Sequence, residues 1–467
     1  MKELVKKFGA FSIGPLVGAI IGFITVPLIT YFISPEEYGR SSMYILAQGT
    51  ISMLIYLGMD QAFVREFNIY KDRKDKLLSN AMIIPLISVL ILSIMIIYKW
   101  EFVSKLLFES SKEYIAVLSL AIMLPFMVVE NFALLNIRME EEGVKYSCFT
   151  ILLKSLNLCF TVILFLIFEK SFRSVVLAIA LSEIINGILL YYVSLRKIKI
   201  RIRHLDRILI SNMLKFGLPL IPAAMLGWVL TSMDKIMLRS LCSYSELGLY
   251  AAAFKIVNVL GIIQTCFTLF WTPVAYRWYE LGKKKSEFES VSMLVAFVMS
   301  LMCMGILLFK NVITLILGSD FREAVYIFPF LLIQPIMYTI SEATAIGIGF
   351  SRKTAYNILV SALSGSVNIA LNYALIPIIG GIGAAFATGI SYLVFFWTRT
   401  LISRKLWVKF KVYPYIIYNI IIIINCIVHT FSKGYLPYVI TVISIVVILI
   451  INFKGIEKLF LYVKQNN

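Results

Sequence analysis

The stretch Phe8–Tyr44, FGAFSIGPLVGAIIGFITVPLITYFISPEEYGRSSMY, recurs in altered form as Phe216–Phe254, FGLPLIPAAMLGWVLTSMDKIMLRSLCSYSELGLYAAAF. Phe8-Gly9 aligns with Phe216-Gly217, and Glu37-Tyr38-Gly39 with Glu246-Leu247-Gly248, an offset of 208 to 209. Each copy opens with an apolar run long enough to cross a bilayer, which takes about 20 residues. A short polar turn follows, then a second apolar run and a basic loop, YKDRKDK after the first copy and GKKKSEF after the second. Two such copies predict a protein whose architecture is laid down twice.

Composition says which solvent the copies fold in. The chain of 467 residues is 60% hydrophobic and 15% charged, with a mean hydropathy of +0.88. Soluble domains are nearer half apolar and a quarter charged, so the main solvent here is lipid. Windows of about 20 apolar residues give fourteen spans, at 9–33, 41–64, 78–98, 113–136, 147–168, 173–195, 214–238, 246–275, 288–309, 323–350, 354–378, 381–403, 412–430 and 435–453. The first follows Lys2, Lys6 and Lys7, as a secretion signal would, but its apolar run is too long for one and no small-residue cleavage site follows. It is expected to remain as a membrane helix.

With both termini cytoplasmic, about 30 of the 44 basic residues fall in the inner loops, the bias that sets membrane topology. That placement accounts for most of the net charge of +18. The loop SLRKIKIRIRHLDR, residues 194–207, therefore reads as a topology anchor on an anionic leaflet and not as a nucleic-acid site. Six scattered cysteines form no CxxC pair, which argues against a disulfide framework or metal site. His204 and His429 read as solvated. No loop is long enough for an extramembrane active site, so the function lies within the bilayer or at its surface.

Six spans separate the copies, an even number, so both share one orientation and are related by a pseudo-two-fold axis along the membrane normal. Parallel repeats of this kind mark transporters that rock two bundles around a midplane site. The expected fold is an all-α integral membrane protein of about fourteen transmembrane helices. Residues 1–207 make one six-helix bundle, 208–405 a second, and 406–467 two further helices with a tail. The first span of each bundle carries two prolines, Pro15 with Pro27 and Pro219 with Pro222, which predict bending helices.

Charges at bilayer depth are costly and tend to mark pathways. Counting about 1.5 Å per residue puts Lys255 and Glu183 near mid-membrane and Lys154 nearer the inner side, where it has Glu183 or Glu130 as an ion-pair partner. Asp60 and Glu342 sit toward inner ends, Lys215 opens span seven, and Asp234-Lys235 closes it on the outer side. Adjacent residues face different sides of a helix, so Asp234 and Lys235 cannot pair with each other. Asn368 and Asn372, at i and i+4, read as interhelical hydrogen-bond glue. If spans one, two, seven and eight line a cavity, Arg65, Lys215, Lys235 and Lys255 make it slightly cationic against Asp60, Glu66 and Asp234. Such a cavity suits an anionic diphosphate headgroup.

The segment DKIMLRSLCSYSELGLYAAAFKI, residues 234–256, resembles a stretch of the bacterial polysaccharide repeat-unit flippases of the Wzx type. PEEYGRSSMY, 35–44, and LGMDQAFVREF, 57–67, resemble the matching elements of their first half. The resemblance covers nearly the whole chain and implies the multidrug/oligosaccharidyl-lipid/polysaccharide (MOP) exporter fold. It implies alternating access and flipping of an undecaprenyl-diphosphate-linked oligosaccharide, destined for O-antigen or capsule, to the outer leaflet of the inner (plasma) membrane. By that analogy Arg65, Lys215, Lys235 and Lys255 contact the substrate. Asp60, Asp234 and Glu183 couple transport to H⁺ or Na⁺, or orient those cations. No other cofactor or metal is implied; the partners are membrane lipids and the polysaccharide polymerase and chain-length machinery. Rival readings are a lipid II flippase and a drug/cation antiporter, whose cavity would be more acidic. A membrane glycosyltransferase is a remoter rival. Its acidic pair would be Glu36-Glu37, but the repeat sets Glu37 opposite Glu246 and suggests that these acids interact with the helix N-terminus that follows. The chain is thus expected to transport and not to catalyse.

Overall fold

The computed structural model describes residues 2–196, 202–353 and 355–466, with side chains described for 10–196, 203–353 and 355–452. The side chains of Lys2, Lys6, Lys7, Lys454, Lys458 and Lys464, and all of Lys197, Lys199 and Arg201, lie outside the described residues. Among the described residues eighteen α-helices carry the fold and no strand occurs. The helices of the first half are α1 (Lys2–Phe32), α2 (Pro35–Tyr56), α3 (Met59–Glu66), α4 (Lys74–Tyr98), α5 (Trp100–Phe108), α6 (Tyr114–Met139), α7 (Gly143–Ile167), α8 (Phe172–Leu190), α9 (Arg207–Gly217) and α10 (Ile221–Leu241). Those of the second are α11 (Tyr244–Glu280), α12 (Lys285–Leu308), α13 (Lys310–Leu315), α14 (Ala324–Thr344), α15 (Ile346–Phe350), α16 (Tyr356–Leu406), α17 (Tyr413–Phe431) and α18 (Leu436–Asn466). The chain divides into two compact units, Met1–Trp228 and Val229–Asn467, with the boundary inside α10.

Eleven helical segments are long and apolar enough to cross a membrane, and α2 with α3, bent 54° apart, makes a twelfth. At 51 residues α16 would run about 76 Å, more than twice a hydrocarbon core of about 30 Å. It is two helices, broken at Ile379 and Gly380, whose φ and ψ of 52° and −131° are open to glycine. The shorter apolar helix Leu436–Asn452 completes fourteen apolar segments, in line with the windows read from the sequence.

The two copies of the repeat match in atomic detail. Ser34 is extended and its hydroxyl accepts from the Glu37 amide, with Pro35 at the first helical position, a favoured helix start. Ser243 does the same for α11 through the Glu246 amide. Each glutamate then reaches 135 residues along the chain. Glu37 accepts from the amide of Phe172 at 2.6 Å, and Glu246 from the amide of Gly381 at 2.7 Å. Both carboxylates thus cap the first turn of the sixth span of their own unit, where free amides favour negative charge. This corrects the expectation that these acids serve the helix that follows them. A side chain at Gly380 would meet Glu246 Oε2 at 2.6 Å, so the glycine also clears the path to that cap. The short helices α5 and α13, both in outer loops of the sequence reading, occupy equivalent positions after the third span of each copy.

In unit 1, α6 packs on α4 and α8, and α1 on α7. Edge-to-face rings of Phe63, Phe67 and Phe132 fill the core beside α3. Leu57 and Gly58 take positive φ and turn α2 into α3. Gly58 and Gly217 touch backbone to backbone, and a Cβ on either would come within 2.6 Å of the other strand of chain. Asn80, wholly buried on α4, donates to the His204 carbonyl and accepts from the Asp206 amide, pinning the segment that leads into α9. Lys76 hydrogen-bonds Asp206 and holds its carboxyl below the usual carboxylate range.

In unit 2, α14 packs on α11, α12, α16 and α17. Trp271, Phe288, Phe350 and Trp407 form a second cluster of edge-to-face rings. α17 and α18 are joined by a polar ladder in which Asn425 donates to Ser444, Thr441 to Asn425, and Thr441 pairs with His429. His429 is fully buried, not solvated as its place near a helix end suggests, because α18 covers it.

Candidate functional site

The adjacent charges at the end of α10 divide as their spacing requires. Asp234 is 1% exposed and sits among four side chains from three helices. The amides of Asn368 and Asn372 donate to Oδ1 at 2.9 and 2.6 Å, and the hydroxyls of Tyr250 and Thr388 donate to Oδ2, both at 2.6 Å. The two asparagines lie one turn apart on α16 and also bond each other, so they present a double donor to one carboxylate oxygen. Asn372 Oδ1 is buried and has no hydrogen-bond partner, which leaves an oxygen lone pair beside a carboxylate. Lys235 turns to the next face, half-buried, with its ammonium 5.2 Å from the centre of the Phe254 ring.

The four cations expected to meet substrate fall into two groups, one in each unit. In unit 1 the Arg65 guanidinium lies 4.5 Å over Phe216, the residue next to Lys215 in the chain, and Arg65 also reaches Glu66 at 3.6 Å. In unit 2 Lys235 lies over Phe254, the residue next to Lys255. Arg65, Lys215 and Lys255 are exposed and Lys235 is half-buried. Each unit therefore sets one cation over an aromatic ring, with a second cation next to the ring residue in the chain.

The acids divide similarly. Asp60 is half-buried at the start of α3 and accepts from Gln61. Glu183 is half-buried and accepts from Gln48 at 2.9 Å. Glu342 is tied to Arg399 at 2.7 Å, an internal ion pair of unit 2. Lys154 is exposed, and the expected ion pair with Glu183 or Glu130 is not among the salt bridges of the described residues.

The prolines act differently in the two copies. Pro15 and Pro27 lie inside the continuous helix α1. Pro219 and Pro222 instead sit where span seven tightens: α9 ends at Gly217, a 3₁₀ turn covers Leu218–Leu220, and α10 begins at Ile221. Span seven, Arg207–Leu241, thus stays one helical segment with a tighter turn at its prolines, because Pro219 and Pro222 each remove a backbone donor there.

Sequence reasoning found the asparagine glue but missed Tyr250 and Thr388, whose hydroxyls complete the Asp234 shell. Both lie in small-residue runs, LGLYAAA and GAAFATG, where a lone hydroxyl inside an apolar helix was the available signal. Among the described residues no group of three or more His, Cys, Asp or Glu side chains is placed to hold a metal ion. All six cysteines are free thiols.

Two helical units with charges placed deep in apolar helices are the build of a multi-pass membrane transporter. The chain belongs to the polysaccharide biosynthesis protein family, whose model matches residues 4–278. It is 25% identical over 340 residues to the Lsg locus protein 1 of Haemophilus influenzae, covering 71% of this chain and 81% of that one. Its fold is similar to that of the lipid II flippase MurJ in an inward closed conformation, with a TM-score of 0.66 at 15% identity, covering 96% of this chain and 99% of the other. A multidrug resistance MATE family transporter of the MOP superfamily in its inward-facing conformation gives a TM-score of 0.62 at 16% identity, over 83% of this chain and 93% of that one. The fold is the two-bundle fold of that superfamily.

Proposed function

We propose that the protein flips an undecaprenyl-diphosphate-linked oligosaccharide repeat unit from the cytoplasmic to the outer leaflet of the plasma membrane, by alternating access. The observation that carries this reading is the pair of cation–ring contacts, Arg65 over Phe216 and Lys235 over Phe254, in a chain of the polysaccharide biosynthesis family. Arginine meets diphosphate oxygens bidentately and lysine meets them as a point charge, while the rings offer apolar faces to sugar. The lipid tail needs no pocket, since it stays in the hydrocarbon.

Asp234 is the residue we assign to the coupling ion. Its carboxylate, with Asn372 Oδ1 and the Thr388 hydroxyl at hand, supplies hard oxygen donors for Na⁺ or a base for H⁺. Asp60 and Glu183 are assigned to orienting or coupling on the side of unit 1.

The likeness in fold to the lipid II flippase MurJ over almost the full length favours one second reading, in which the cargo is a lipid-linked peptidoglycan precursor. Deletion of the gene separates the two. The first reading expects loss of surface polysaccharide with build-up of lipid-linked repeat units on the inner leaflet; the second expects build-up of lipid II and failure of wall growth. Normal polysaccharide and normal wall in a strain without a second flippase would overturn both.

A further inference from the structure

The start of the third span meets the chain that leaves the sixth once in each unit, and the two copies treat this junction in opposite ways. In unit 2 the first turns of α12 meet the segment after α16 through Phe288, Trp407 and Phe410, and the space left there is about 10 Å³. In unit 1 the same junction is a cavity of about 500 Å³. Its lining is basic. Lys71 and Arg73 come from a 3₁₀ turn, Lys74 and Lys76 from the first turn of α4, and His204 from a second 3₁₀ turn, Ile202–His204. Asp72 and Asp75 complete it. The walls are pinned from behind: Asn80 donates to the His204 carbonyl, Lys76 reaches Asp206 at 2.6 Å, and Lys74 pairs with Glu140 with its ammonium 5.7 Å from the centre of the Phe67 ring. Lys71 and Arg73 are exposed and make no ion pair among the described residues.

The chemistry of the cavity selects its ligand. The segments 71–76 and 194–207 hold ten Lys and Arg against three Asp in the sequence, so the field at their junction is positive and draws an anion. α4 starts without a side-chain cap, which leaves the amides of its first turn to water or a ligand, and His204 Nδ1 is buried without a hydrogen-bond partner. Phosphate oxygens are acceptors that Lys, Arg and helix-start amides can bind together. The neighbours along the chain are apolar and open: Ile69, two residues before Lys71, and Ile208, one after Arg207, are each 74% exposed. Exposed isoleucine suits acyl chains and not a water-borne phosphate. The basic loops set this end of the third span at the inner leaflet, at the depth of lipid headgroups. Asp72 and Asp75 disfavour a second phosphate but accept from hydroxyls, which phosphatidylglycerol carries at the end of its headgroup and phosphatidylcholine lacks.

We infer that this cavity binds the headgroup of one anionic phospholipid of the phosphatidylglycerol type, its phosphate against Lys71, Arg73 and the start of α4, and its glycerol hydroxyls toward Asp72 and Asp75. This is a discrete site. A basic loop acting alone as a topology anchor needs only a diffusely charged leaflet. A lipid seated here bridges the turn before α4 and the segment that leads into α9, two parts of unit 1 that lie more than 120 residues apart in the chain. The second copy has filled the equivalent space with aromatic rings, so the lipid belongs to unit 1 alone. The site does not depend on the cargo of the transporter, and a deletion strain with normal polysaccharide leaves it standing.

The test titrates phosphatidylglycerol into the full-length protein in detergent and counts bound lipids by native mass spectrometry. The first phosphatidylglycerol should bind at least about tenfold more tightly than the first phosphatidylcholine. The double variant Lys71→Gln with Arg73→Gln should weaken it by about tenfold or more, the loss of at least one charge-assisted hydrogen bond. The second copy supplies the control: Lys283→Gln with Lys284→Gln removes the same charge from the matching loop, GKKKSEF, and should leave the first phosphatidylglycerol bound as in the wild type. Equal weakening in both double variants would show diffuse attraction to charge and overturn the site. Equal binding of phosphatidylcholine and phosphatidylglycerol by the wild type also overturns it. That comparison needs no variant, so it decides even if the Lys71–Arg73 double variant fails to fold, which circular dichroism and the elution profile check. Inorganic phosphate in large excess should not displace the lipid; displacement would assign the cavity to free phosphate and overturn the lipid.

Discussion

At Asp234 a single carboxylate accepts four hydrogen bonds inside an apolar bundle. Hydrogen bonds to a charged group contribute about 1.5–3 kcal/mol each, and donors stranded by its removal cost more than the bonds themselves contribute. Asp234→Ala should therefore lower the melting temperature of the purified protein by several degrees, corresponding to about 3–5 kcal/mol for an emptied buried polar site. Asp234→Asn keeps the volume and two acceptor lone pairs while removing the charge. It should fold and yet lose most export, measured as surface polysaccharide in a complemented deletion strain. Full export by Asp234→Asn would remove this residue from the coupling role. Lys235 lies over the Phe254 ring and Lys255 is exposed, so the expected effect of Lys235→Ala and Lys255→Ala is on export at wild-type protein level. Loss of expression in either would point to a structural role instead. Much of this centre was open to sequence reasoning: the i,i+1 spacing separated the two charges, and the i,i+4 spacing marked the asparagines. Which charge turns inward was not, because that choice is made by Tyr250 and Thr388 on other helices.

At the scale of the element, the repeat explains why the glutamates and not their neighbours matter. Glu36 pairs with Arg40 on the surface of α2, a contact worth a few tenths of a kcal/mol. Glu37 and Glu246 hold the N-termini of distant spans, and each such charged cap contributes about 1.5–3 kcal/mol. Glu37→Ala and Glu246→Ala should lower stability by similar amounts, while Glu36→Ala should change it by less than about 0.5 kcal/mol. Thermal unfolding of the three proteins side by side is the measurement; equal effects in all three would refute the capping argument. Gly380→Ala should mimic Glu246→Ala, since the added methyl group collides with the Glu246 carboxylate and meets a positive φ. The spans themselves were readable because fourteen apolar runs need only hydropathy. The caps were not readable, because a contact across 135 residues leaves no local trace. The break between α2 and α3 was also hidden, since span two contains only one glycine at that point, and the bend needs Leu57 as well as Gly58 in a positive φ.

For the whole molecule the question is how many times the chain crosses and where its ends lie. Eleven segments satisfy a strict test of length and apolarity, and fourteen satisfy the physical argument once α2–α3, the broken α16 and α18 are counted. The last decides the parity. Its described apolar part, Leu436–Asn452, is about 26 Å long, a little under a hydrocarbon core of about 30 Å, but the helix runs on to Asn466. The ladder from Tyr418 to Asn452, from Asn425 to Ser444 and from His429 to Thr441 sets α18 alongside α17 over several turns, which a helix lying on the surface would not allow. Polar side chains that satisfy one another within a helix pair are the usual glue of membrane helices. A reporter fused after Lys411 and another fused after Asn467 should therefore lie on the same side of the membrane, and one fused within SKGY, residues 432–435, on the opposite side. With the basic loops inside, fluorescent protein at the first two positions should glow, and alkaline phosphatase should be active only at the third. Phosphatase activity at the C-terminus would show that α18 does not cross. It would leave both six-span repeats intact, because Glu37 and Glu246 close each repeat before α17 begins.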